Sequence, residues 1–147
     1  MSYRTYKIVA TSEHEATDSV TEGAKMAKIL IAEDSDTELA FLMEILKETN
    51  HELTVTRDGL EAEAAAKAGN FDLIILDVIM PGKNGFQVCR TLKKDPAHKD
   101  TPIIMLTSKS ENSDKFWGMK QGAEEYITKP YNPVDLLLAI RQHMGAK

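Results

Sequence analysis

A single cysteine, Cys89, stands among 147 residues, so no internal disulfide can form, and no C-x-x-C pair supplies a thiolate zinc spacing. A disulfide-stapled secreted fold and a zinc module are both excluded. A run of the roughly 20 apolar residues that a membrane span needs is also missing. The N-terminus is interrupted by polar residues where a signal peptide needs an apolar core. The expectation is a cytoplasmic protein with no membrane partner. Basic charge is not in surplus either: 18 Lys and Arg stand against 23 Asp and Glu, a net of −5. No basic cluster is evident along the chain, which disfavours nucleic acid as a partner. His14, His51, His98 and His143 fall at no metal-ligand spacing.

The 42% hydrophobic and 28% charged residues are ordinary globular composition, with length for a single core. From Ala27 onward, short β-branched runs alternate with segments of helical periodicity, the mark of an α/β domain with a mainly parallel sheet. Ile29–Ala32 is apolar throughout, as a strand covered on both faces must be. Asp36 is a candidate N-cap for a helix carrying Leu39, Leu42, Met43 and Leu46 on one face. A short strand is expected around Leu53–Val55, then a helix over Gly59–Lys67 that Gly69-Asn70 stops. Leu73–Leu76 is the most apolar run and the expected central strand. After it come the turn residues Pro81–Gly85, a helix with Phe86, Cys89 and Leu92, and strand Ile103–Leu106. A helix over Asn112–Gln121 ends at Gly122, Tyr126–Thr128 forms the last strand, and Asn132-Pro133 opens the last helix. Five βα units are expected, helices on both faces, with nothing left after Lys147 for an output domain.

Residues 1–25 differ. They carry few large apolar side chains after Val9 and a small-polar mix. Two readings stay open: a loosely ordered or fused extension, or an ordered appendage in which Tyr6–Ala10 adds a strand and Ser12-x-x-Glu15 caps a helix. The domain proper is expected to span residues 26–147.

In an open parallel sheet, ligands bind at the carboxyl ends of the strands. The first strand ends in Glu33-Asp34, the third in Asp77, the fourth in Thr107-Ser108 and the fifth in Lys129. Singly these read as a cap, a β-former and a surface charge. Together they crowd carboxylates on one edge, where like charges repel unless a cation compensates. Mg²⁺, which takes one or two carboxylates with water and phosphate oxygens, suits such a site. A carboxylate there can attack phosphorus while Lys and Thr bind the transferred group.

Glu33-Asp34 after Ile29–Ala32, Leu76–Gly85, Ile104–Ser108 and Tyr126–Pro130 resemble, in order and separation, the four signatures of the receiver domain of two-component response regulators, over about Ala27 to Met144. The resemblance implies a doubly wound, flavodoxin-like (βα)5 fold with a five-stranded parallel sheet. It implies that Asp77 accepts a phosphoryl group, with Asp34 and Asp77 as carboxylate ligands of Mg²⁺. The backbone carbonyl of Ile79 would be a further ligand, and Glu33 would act mainly through metal-bound water. Thr107 would hydrogen-bond the phosphoryl group, Lys129 would pair with it, and Tyr126 would be the aromatic switch. Lys129-Pro130 matches a bond that is cis in the family. Glu33 departs from the commoner Asp. The side chains of Ile79 and Lys109 flank the site at positions expected to influence dephosphorylation. The donor would be a histidine kinase or histidine phosphotransfer protein. Phe116–Ala123 resembles, more narrowly, the fourth-helix region of chemotaxis-like receivers of type IV pilus motility, with Trp117 packing on the helix surface as the plainer reading.

The main expectation is a signalling phosphoacceptor, not an enzyme. It would present a face of the fourth helix, fifth strand and fifth helix, including Lys115, Trp117, Lys120 and Leu138, to a downstream protein or a second copy. A Mg²⁺-dependent aspartyl phosphohydrolase needs an acid two residues beyond the nucleophile, where Ile79 stands. A pseudo-receiver scaffold would have no use for the complete acid pair, acceptor, Thr and Lys, and a flavin carrier would need a phosphate-cradling loop after the first strand. Cys89, spaced with Phe86 and Leu92, reads as a small core residue.

Overall fold

The apolar runs read as strands are buried on both faces, because helices cover both sides of the sheet. The structure, a computed structural model, describes residues 4–8, 27–47 and 49–144. The elements are β1 (Arg4–Ile8), β2 (Ala27–Ala32), α1 (Asp36–Leu46), β3 (His51–Thr56), α2 (Gly59–Ala68), β4 (Leu73–Leu76), α3 (Gly85–Lys94), β5 (Ile103–Thr107), α4 (Asn112–Lys120), β6 (Glu125–Thr128) and α5 (Pro133–Met144). The sheet order is β1-β3-β2-β4-β5-β6, with β2 to β6 parallel. Alternate residues face opposite ways. Leu30, Ile74 and Met105 therefore pack with Ala62, Ala65, Val88 and Leu92 of α2 and α3. Ile29, Ile31, Ile75 and Ile104 pack with Leu42, Leu46, Leu136 and Ile140 of α1 and α5. The doubly wound α/β architecture expected from the alternation is present.

Two details differ from expectation. The sheet has six strands rather than the five of the (βα)5 expectation, because β1, which overlaps the added strand left open over Tyr6–Ala10 but spans Arg4–Ile8, pairs antiparallel with β3, Arg4 opposite Val55 and Ile8 opposite His51. Thr5 and Thr54 hydroxyls meet across that pair at 3.2 Å, and Tyr6 packs against the α1/α5 side of the core. The added strand satisfies the outer backbone edge of β3, which would otherwise be an open pairing template. The helix expected from Ser12-x-x-Glu15 lies outside the described residues. The N-cap of α1 is Ser35, whose hydroxyl accepts from the Glu38 N–H at 3.2 Å, and Asp36 is the first helical residue. The cap is taken by the residue whose extended backbone aims its oxygen at the first turn.

Cys89 is fully buried, its thiol pushed up to about 12 by burial, and it packs as an apolar residue in the α2/α3 side of the core. His51 is the unusual polar group of the sheet. It is 7% exposed, and neither ring nitrogen has a hydrogen-bond partner among the described residues. Burial holds its pKa below the ordinary value, with Asp72 partly opposing. The unfolded chain thus binds a proton at His51 more readily than the folded one, so this contribution is complete above about pH 6.5 and declines as pH falls through that value. Unfolding midpoints measured from pH 7.5 to 5.5 are expected to fall less steeply in His51→Leu than in the wild type. The difference is bounded by one proton, about 1.4 kcal/mol per pH unit.

Candidate functional site

Parallel register brings the chemistry to one edge. Ala32 lies beside Leu76, and Thr107 beside Thr128, so the residue following each strand end meets its neighbour. The Glu33 N–H donates to the Thr56 carbonyl at 3.1 Å, the Asp77 N–H to the Ala32 carbonyl at 3.1 Å, and the Lys129 N–H to the Thr107 carbonyl at 2.9 Å. These backbone bonds continue the ladder one residue beyond the strands and aim three ionisable side chains at a common point. Behind Asp77 the chain is held close: a Cβ on Gly85 would stand 2.3 Å from the Asp77 carbonyl oxygen. Only glycine at the start of α3 lets the helix approach the Asp77 loop this closely. Asn84 and Gln87 close a reciprocal capping box there.

At the common point Lys129 Nζ donates to Glu33 Oε1 at 2.7 Å and to Asp77 Oδ2 at 2.9 Å. The Ser35 N–H takes the other Glu33 oxygen at 3.1 Å, and the Ile79 N–H takes Asp77 Oδ1 at 3.0 Å. Burial raises the Glu33 carboxyl above its usual range, with Asp77 adding to the rise, against the opposing bonds from Lys129 and Ser35. Burial opposes charge on Lys129 as well, but its bonds to Glu33 and Asp77 outweigh that and raise its pKa. Asp34 is exposed beside them. Glu33, Asp34, Asp77, Ile79, Ser108 and Lys129 all line one cleft of about 640 Å³. Phe41 and Tyr131 give it an apolar wall, their ring centroids 5.4 Å apart.

Thr107 and Tyr126 stand outside that cleft. Thr107 is fully buried and its hydroxyl accepts from the Lys109 N–H at 3.3 Å. The Tyr126 hydroxyl donates to the Lys109 carbonyl at 2.8 Å. The peptide units of Lys109 thus join the two, a link that sequence positions alone do not reveal. Arg57 is a further residue of this edge that no motif marks: its Nη2 donates to the Asp34 carbonyl at 2.9 Å and its guanidinium pairs with Asp36. Its place one residue past β3, on the carboxyl edge, is the signal that marks it. Lys129-Pro130 is cis, as the resemblance implies.

The site is one of oxygen donors around one ammonium. Among the described residues no group of three His, Cys, Asp or Glu side chains already stands as a metal cluster, and Lys129 bonds to both Glu33 and Asp77. The exposed Asp34 carboxylate beside this buried pair leaves negative charge uncompensated, which suits a hard divalent cation.

The profile of the response regulator receiver domain matches residues 29–141. The chain belongs to the response regulator receiver family. It is 40% identical over 115 residues to protein PilH of Pseudomonas aeruginosa, covering 78% of this chain and 95% of that one. It covers only 44% of the transcriptional regulatory protein TcrA of Mycobacterium tuberculosis, at 37% identity over 78% of its own length. Among solved structures, the receiver domain of a signal transduction histidine kinase from Syntrophus aciditrophicus superposes with a TM-score of 0.75 at 38% identity, covering 82% of this chain and 92% of that one. The Mn²⁺-bound form of response regulator Rcp1 does so at 0.73 and 28%, covering 82% and 96%.

Gly118 of α4 lies against the Tyr126 ring: a Cβ there would stand 2.7 Å from Tyr126 Cδ2 and 3.0 Å from Met105 Sδ. Gly118→Ala sets a helix-propensity gain of up to about 1 kcal/mol against an overpacking cost of about 1–3 kcal/mol. The expected result is a net loss of stability in urea unfolding. In a Tyr126→Ala background the ring is gone, and the same substitution should become neutral or stabilising. Equal effects in both backgrounds would show that the ring contact is not what Gly118 serves.

Proposed function

We propose that this receiver is phosphorylated on Asp77 within a two-component phosphorelay, with residues 26–147 as the receiver and residues 1–25 as an N-terminal extension. The observation that carries the reading is the Lys129 ammonium between Glu33 and Asp77 at 2.7 and 2.9 Å. It holds the Asp77 carboxylate in place at the cleft and supplies positive charge where an incoming phosphoryl group adds negative charge. The donor is a phosphohistidine of a histidine kinase or histidine phosphotransfer protein. An Asp77 oxygen bonds to phosphorus as the P–N bond to histidine breaks, and the imidazole leaves.

Mg²⁺ fits the donor set. Asp34, Asp77 and the Ile79 carbonyl would hold it, and Glu33 would reach it through water. When bound, the ion neutralises oxygens of the transferring group. The likeness to response regulator Rcp1, whose structure is of an Mn²⁺-bound form, supports a divalent cation as a ligand of this fold. Lys129 then turns to the phosphoryl oxygens, and Thr107 moves to hydrogen-bond them. Because Thr107 and Tyr126 share Lys109, that shift carries to Tyr126 and to α4. The downstream partner, or a second copy, reads the face of α4, β6 and α5, where Leu138 is exposed, whereas Trp117 and Lys120, expected on that face, line the α3 flank of α4.

Ile79, at the second position past Asp77, supplies no acid for a leaving group, which favours a phosphoacceptor over a phosphohydrolase. The likeness to PilH and the Phe116–Ala123 resemblance favour a chemotaxis-like pilus-motility system. No helix among the described residues is long and apolar enough to cross a membrane, and the proposed location is the cytoplasm.

Incubation with acetyl phosphate and Mg²⁺ should label the wild type once, with labelling abolished in Asp77→Asn and in EDTA. Undiminished labelling of Asp77→Asn would refute the acceptor assignment. Lys129→Ala removes the ammonium that competes for the Glu33 and Asp77 oxygens, so Mg²⁺ titration should show affinity retained or tightened. The amide shifts that beryllofluoride induces at Tyr126 and α4 should disappear in that variant. Their persistence would remove Lys129 from the switch.

A further inference from the structure

The linear order of charges shows no basic cluster, yet the tertiary structure builds one. Arg90, Lys93 and Lys94 of α3 and Trp117 and Lys120 of α4 line a groove of about 310 Å³ between the two helices. Lys93 is used internally: its ammonium donates to the Thr101 carbonyl and to the Glu124 carboxylate, each at 2.9 Å. Arg90, Lys94 and Lys120 are exposed and form no ion pair among the described residues. The Lys120 ammonium lies 5.6 Å from the centroid of the Phe116 ring. Three uncompensated cations thus gather on a chain whose net charge is −5. Between them Trp117 is 47% exposed, a large aromatic surface left uncovered in the groove. An aromatic anchor with a charged rim is the anatomy of a protein interface.

We propose that the α3–α4 groove docks an acidic peptide segment of a partner protein, with an apolar side chain of that segment on Trp117 and its carboxylates against Arg90, Lys94 and Lys120. Charge complementarity selects this occupant. A second copy docked isologously would set the same cations against themselves. A nucleic acid ordinarily meets a basic domain and about 6–10 phosphate contacts, far more than this groove offers. The groove lies on the α3 flank of α4, apart from the α4–β6–α5 face, and the proposal holds for the unphosphorylated chain.

Trp117 is the one tryptophan in the sequence, so its emission reports the groove directly. The unphosphorylated full chain is titrated with three probes: a short Asp/Glu-rich peptide centred on Leu-Phe, its Lys/Arg counterpart, and a single-stranded oligonucleotide. The acidic peptide should produce a saturable emission change that weakens in high salt and by about tenfold or more in Arg90→Glu/Lys120→Glu. The neutral pair Arg90→Gln/Lys120→Gln should weaken it in the same direction, and serves if the reversed pair fails to fold by circular dichroism. Lys47→Glu/Lys67→Glu, the same charge change at the C-cap of α1 and in α2, should leave the affinity unaltered. The proposal is overturned by no saturable response to the acidic peptide, by an equal response to the basic peptide, by tighter saturation with the oligonucleotide, or by equal weakening in the α1/α2 control.

Discussion

Two buried carboxylates, Glu33 and Asp77, lie side by side because the Lys129 ammonium stands between them at 2.7 and 2.9 Å. Without it, burial and mutual repulsion would drive one of them to take a proton. The ammonium in turn reaches that point because β6 is in register with β5 and its backbone ladder runs one residue past the strand. A slip of one residue in any of these strands would turn a site side chain to the opposite face of the sheet. A buried ion pair adds little net stability over apolar packing, so the fold is held by the two apolar layers. The charged cluster is carried by them, which frees it to be rearranged when another ion enters.

The least anchored helix is the one best placed to respond. α4 buries only Gly118, whereas α1 buries Leu42, Ile45 and Leu46, α3 buries Val88 and Leu92, and α5 buries Leu136 and Ile140. Elements with little buried apolar contact shift at low cost. α4 rests on Tyr126, and Tyr126 is tied through the Lys109 peptide units to Thr107 at the edge of the site. A continuous set of contacts therefore runs from the carboxylate cluster to a lightly held surface helix, one flank of which lines the basic groove with α3.

Much of the site was legible because strand ends are legible. The apolar runs Ile29–Ala32, Leu73–Leu76 and Ile103–Leu106 each stop at a polar residue, and a parallel sheet lines up such stops on one edge. Glu33 and Asp77 follow from that rule, Lys129 from the resemblance of Tyr126–Pro130 and its place after the last strand, and the three meet. Arg57 was not, because the short strand before it ends in polar residues and carries no such abrupt boundary. The link through Lys109 was hidden for a different reason: it is made by backbone groups, which every residue carries and no sequence pattern marks. Ser35 rather than Asp36 caps α1 because capping depends on the backbone angle at the helix entrance, which both side chains would suit equally well.

Short-range regularities by themselves determined the α/β class, the order of the parallel βα units, the core stripes and the list of chemical groups at the carboxyl edge. Each depends on periodicity or on residues adjacent in the chain. The tertiary structure decided what depends on proximity between distant residues. β1 covers β3 because its backbone finds an open edge, not because its residues demand it. Thr107 sits buried beside the cleft rather than in it, since its hydroxyl is turned to the Lys109 N–H. Arg90, Lys94 and Lys120 become a cluster only when α3 and α4 lie side by side. Electrostatics acts through distance in space, and distance along the chain is no measure of it once the sheet has folded.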